Sequence, residues 1–89
     1  MHKTISEQIK EAFNNIKGES LVSIVTCDIT VDSRMSILAK RREGQYYELL
    51  FTLKDYTPQM MAHLTLARTE NYYTGWNAKM TNRIHPDDK

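Results

Sequence analysis

One cysteine, two prolines and three glycines stand among 89 residues, and each scarcity removes a class of protein. A lone thiol, Cys27, forms neither an internal disulfide nor a thiolate zinc cluster, which excludes the stapled secreted scaffolds and suits a reducing compartment, so a cytoplasmic location is expected. Gly18, Gly44 and Gly75 are isolated, so no glycine-rich loop is available to cradle a phosphate. No stretch approaches the roughly twenty apolar residues of a membrane span, and Met1 to Ile5 leads into polar helix residues without the apolar core of a secretory signal. A charge surplus is also missing: twelve Lys and Arg against eleven Asp and Glu give a net charge of +1, which provides no global field toward a polyanion. His2, His63 and His85 are scattered, with no helical pair. The expectation is a chain with no metal, no cofactor and no catalytic residue, hence not an enzyme.

What is present reads as one small domain. Apolar residues at 40% and charged residues at 26% are ordinary globular values. Ile5, Ile9, Ala12, Phe13 and Ile16 recur at helical spacing, Thr4 and Glu7 form a capping box, and Gly18 stands where a left-handed C-cap belongs. A helix over about Ile5 to Lys17 follows. The period then drops to two. Leu21, Val25, Cys27, Ile29 and Val31 share odd parity, as do Met35, Ile37 and Ala39, and then Tyr47, Leu49, Phe51 and Leu53. Three half-buried strands with matching parity require hairpin loops that are odd-numbered or bulged. Around Gly44 two registers compete. A left-handed Gly44 as third loop residue sets Lys40 opposite Tyr46, whereas side-chain pairing favours Lys40 opposite Glu48.

Thr57 caps a second helix with Pro58 as its first residue, and Tyr56 staples onto Met61. The apolar stripe of that helix is Met60, Met61, Leu64 and Ala67, and Gly75 is placed at its end. The expected fold class is α+β: a two-layer α-β-β-β-α domain whose three-stranded antiparallel meander has one face covered by both helices. Residues 1–76 form the domain, and residues 77–89 form a tail that either docks on it or stays apart.

Function is expected from surfaces. On the even-numbered face, Val22, Ile24, Leu38, Tyr46 and Leu50 mix with Thr26, Ser36, Lys40 and Thr52, more apolar than a solvated face needs. Either another protein or a second copy of the chain covers this patch, or the chain's own tail does. Edge-strand pairing into a homodimer satisfies the same observation. Arg34, Lys40, Arg41 and Arg42 are the basic concentration, with Tyr46 and Tyr47 beside them; they suit a nucleic-acid phosphate, or they simply solubilise a hairpin end. Tyr72, Tyr73 and Trp76 read as core closure more readily than as binding anchors. Cys27 reads as packing.

The helix-strand-strand-strand-helix order resembles that of the double-stranded-RNA-binding domain, but Thr57-Pro58-Gln59-Met60 carries none of the basic residues with which that family opens its second helix. In size and topology the chain is also similar to small phage- or plasmid-encoded inhibitors of host defence, some anti-CRISPR proteins among them. That likeness implies a protein-binding inhibitor.

Overall fold

The computed structural model describes residues 2–41 and 44–70, and the backbone of residues 78–81. Helix α1 spans Ile5–Ile16, strands β1, β2 and β3 span Ser23–Ile29, Arg34–Lys40 and Tyr46–Thr52, helix α2 spans Pro58–Glu70, and β4 spans Ala78–Thr81. The architecture is α+β, with an antiparallel sheet in the order β1-β2-β3-β4. The fourth strand extends the expected three-stranded meander. It comes from the stretch read as a tail and pairs with β3 from Tyr46 opposite Thr81 to Leu49 opposite Ala78.

Local chemistry fixes the element ends. The Thr4 hydroxyl accepts from the Glu7 N–H at 3.1 Å, and the Glu7 carboxylate accepts from the Thr4 N–H at 2.8 Å, so the capping box is complete. Gly18 follows the C-cap Lys17 with φ at 53°, the left-handed conformation that costs a glycine nothing. At α2, Thr57 Oγ1 accepts from the Met60 N–H at 3.1 Å, ahead of Pro58 in the first helical position. Gly75, proposed as the end of this helix, lies outside the described residues.

The two hairpins are built alike. In the first, Thr30 N–H donates to Arg34 O at 2.7 Å and Ser33 N–H to Thr30 O at 3.2 Å; in the second, Arg41 N–H donates to Gln45 O and Gly44 N–H to Arg41 O, both at 2.9 Å. Each is a three-residue loop whose last residue is left-handed, Ser33 at φ 62° and Gly44 at φ 91°. This satisfies the odd-loop requirement. It also settles the register: Lys40 lies opposite Tyr46 and Leu38 opposite Glu48, so turn chemistry prevails over side-chain pairing.

Odd-numbered strand residues meet the helices, as parity predicts. Cys27, Met35, Ile37, Tyr47, Leu49 and Phe51 form one buried cluster with Ile9 of α1 and Met61 of α2, and Phe51 meets the Tyr56 ring edge-on at 5.1 Å. Strand β1 departs from the simple pattern. Its pairing shifts between Ile24 and Thr26, so Ile24 faces Ala39 while Thr26 faces Leu38. The bulge at Val25 reverses the parity upstream of it. Val22 and Ile24, assigned to the even face, accordingly lie on the helix side: Val22 is buried with Phe13, Ala39 and Ala62, and Ile24 packs against the same group. The stripe read on α2 also shifts. Met60 is exposed, and the buried residues are Met61, Ala62, Thr65 and Thr69.

A candidate protein-binding edge

The sheet ends on β1 and β4, each paired on one side only, and β1 is the edge strand whose side chains are described. Backbone groups along an antiparallel strand alternate between the two sides. Thr30 N–H reaches Arg34 of β2, so Thr30 and Asp28 point inward, and Cys27 and Ile29 point outward. Ser6 of α1 marks that outward side by donating its hydroxyl to the Cys27 carbonyl at 2.8 Å. Ile29 sits opposite Met35 of β2, and no described residue pairs with it on the outward side.

Apolar exposure gathers along the same edge. Four large apolar side chains are exposed among the described residues: Leu21 at 49%, Ile29 at 53%, a fully exposed Val31, and Met60. Three of the four flank or belong to β1. Val31 sits in the loop held by Thr30 and Asp32, which hydrogen-bond through their side chains, and by Arg34, whose Nε donates to Asp32 at 3.0 Å.

Ser6, Lys10, Asn14 and Lys17 follow at intervals of four, four and three residues, a spacing that aligns them on one side of α1. That side overlooks β1. Lys10, Asn14 and Lys17 line a groove of about 180 Å³ with Phe13, Ser23 and Ile24. Neither lysine belongs to the two ion pairs among the described residues, Lys3 with Glu11 and Arg34 with Asp32. Beneath the groove's far end, burial pushes the Cys27 thiol up, and nearby Ser6 and Lys10 offset only part of that effect. Its Sγ lies 3.6 Å from Met35 Sδ. A buried thiol so held packs the core.

The residues singled out from sequence are spread across the molecule. Of the proposed patch, Val22 and Ile24 are on the helix side, Leu38 is wholly buried, Tyr46 nearly so, and Leu50 is partly buried. Leu38 belongs to neither of the clusters that the helices enter. What the even face presents is therefore no open apolar patch. Of the basic group, Arg34 and Lys40 occupy opposite ends of β2, about 20 Å apart at strand rise. Arg34 is engaged by Asp32; Lys40 Nζ lies 6.0 Å above the Tyr46 ring; Arg41 donates to the carbonyls of Thr69, at 3.2 Å, and Glu70. Arg41 thus closes the C-terminal end of α2. Arg42, Tyr72, Tyr73 and Trp76 lie outside the described residues. His63 is exposed on α2, and among the described residues no three His, Cys, Asp or Glu side chains gather as metal ligands. No described helix is long and apolar enough to cross a membrane.

Ser6, Lys10 and Lys17 carry no signal in the sequence alone, because lysines on a solvent face of a helix are the rule. Their spacing relative to Ser6 was the only trace. No family model, no curated protein and no solved structure matches the chain.

Proposed function

We propose that this chain is a small non-enzymatic protein-binding module, of regulator or inhibitor type, that takes up an extended segment of its partner as an added strand on β1. The observation that carries this reading is the coincidence of the unpaired sheet edge with three of the four exposed large apolar side chains, Leu21, Ile29 and Val31. In strand addition, main-chain hydrogen bonds supply affinity and side-chain contacts supply choice of partner. The bulge at Val25 bends the edge, which discourages indiscriminate pairing while leaving the outward groups at Ile29 for a fitted segment. The cytoplasm, where Cys27 stays a thiol, is the compartment we infer for it.

Random peptides selected on the full chain, then titrated into isotopically labelled protein, test the reading. Binders are expected to slow amide exchange at Ile29 and to shift the Ser23–Ile29 signals. A selection without binders, or binders that move Leu38, Tyr46 and Leu50 while leaving Ile29 unchanged, would overturn it.

A further inference from the structure

Resting on that reading, we propose that the segment added to β1 is acidic on the side that faces α1: it carries carboxylates at alternate positions, seated in the α1–β1 groove with Lys10 and Lys17 as counter-ions. The groove is lined by Lys10, Phe13, Asn14, Lys17, Ser23 and Ile24, and no acidic side chain is among them. Both lysines lack an ion-pair partner among the described residues, and nearby Lys3 is already taken by Glu11. A strand laid along β1 turns every second side chain toward α1, about 7 Å apart. Lys10 and Lys17 are separated along the helix by about 10 Å of axial rise. Flexible lysine stems span the difference to carboxylates two or four positions apart.

The opposite face sets a complementary rule. Asp28 is exposed there, so the intervening positions of the segment are neutral or basic, because like charges directly across a strand pair repel. The same charges argue against a second copy as the occupant. Antiparallel β1-to-β1 pairing about a two-fold axis would set the α1 helices side by side and bring their grooves together, and no acidic side chain lines either groove to meet the other's lysines.

Three blocked octapeptides of alternating Thr-Glu, Thr-Gln and Thr-Lys, titrated into the full chain at low salt, decide the matter. The Thr-Glu peptide should bind about five- to tenfold more tightly than Thr-Gln, the preference expected of two solvent-exposed ion pairs. That preference should vanish in the Lys10→Glu, Lys17→Glu double variant, whose exchanged side chains are on the surface and whose unchanged melting curve would certify the fold. It should also shrink as salt is raised. Equal binding of Thr-Glu and Thr-Gln with Ile29 protected would sink the acidic assignment and leave strand addition standing. Failure of all three to protect Ile29 would sink both. Concentration-dependent dimerisation that protects Ile29 without peptide, or a duplex oligonucleotide that binds through Lys10 and Lys17 where Thr-Glu does not, would overturn the proposed occupant.

Discussion

The two edges of the sheet are finished by different means. At the far edge, β4 pairs with β3 over Tyr46 to Leu49, which makes β3 an inner strand and β4 the edge. At the near edge, a single Ser6 hydroxyl meets Cys27 O, a bulge interrupts the strand, and Ile29 and Val31 stand in solvent. An edge blunted by a bulge and bordered by lysines is protected against indiscriminate pairing, yet it keeps its hydrogen-bonding groups. The difference teaches where to look for a partner, since an edge strand with exposed apolar side chains is a region whose chemistry the described residues leave incomplete.

The contrast breaks most severely at Phe13, which ties α1 to the start of β1. It is buried against Val22, Ala39 and Ala62 and also forms a wall of the groove. Phe13→Ala should lower unfolding stability by about 3–5 kcal/mol, the cost of a large core truncation, measured by urea denaturation. An effect under about 1 kcal/mol, the range of surface changes, would show that α1 is not anchored over β1.

Proline substitutions probe the two sides of β1 directly. Asp28→Pro removes an N–H directed at β2 and should cost about 1–3 kcal/mol, whereas Ile29→Pro removes one directed at solvent and should cost far less. The two differ in chain position by one residue, so equal losses in a thermal melt would mean that β1 has no open side. Ile29→Pro is further expected to abolish slowing of exchange by any peptide bound at the edge.

The hairpins offer a smaller test, since the open edge ends in a loop with serine where the other loop has glycine. Ser33 adopts φ 62° and Gly44 φ 91°. Ser33→Gly should raise stability by about 0.5–1 kcal/mol and Gly44→Ala should lower it by about 1 kcal/mol, because only a side chain makes left-handed backbone costly. An added Cβ at Gly44 would meet nothing within 4 Å, so the loss would be conformational and not steric. Matching signs for the two variants would refute the shared loop geometry.

How far the sequence could be read follows the same division. The capping box at Thr4, the left-handed Gly18 and Gly44, the Thr57-Pro58 start of α2 and the odd-parity core of β2 and β3 were all legible, because each rests on local chemistry or on a period that nothing interrupts. β1 was legible only downstream of Val25. Leu21, Val22, Ile24 and Val25 place apolar residues on both parities, and no glycine or proline marks the bulge, so Val22 and Ile24 took the wrong face. β4 was invisible because four residues, Ala78 to Thr81, are too short to display a period. The functional edge was the least legible part of all. It depends on which strand β4 joins, and that is a tertiary choice.

Acidity should act on the open edge in particular. The hydrogen bonds between Thr4 and the Glu7 carboxylate, with a smaller contribution from Lys3 and Lys10, hold the Glu7 pKa below the ordinary carboxylate value. A carboxylate with a folded-state pKa below its unfolded one adds stability that is present above the unfolded value and disappears as pH falls through the folded one. Protonating Glu7 therefore frays the first turn of α1, which also carries Ser6, the residue that holds Cys27 O at the near edge. Amide exchange at Thr4 and Glu7 should quicken, and the Cys27 carbonyl carbon signal should shift, together as the Glu7 carboxylate is protonated, after allowance for intrinsic rates. β3 and β4 should show no matching change. Glu7→Gln should flatten that response, since its side-chain carbonyl still accepts from Thr4 but does not titrate. An acid response that persists unchanged in Glu7→Gln would assign the pH sensitivity to another group and detach it from the open edge.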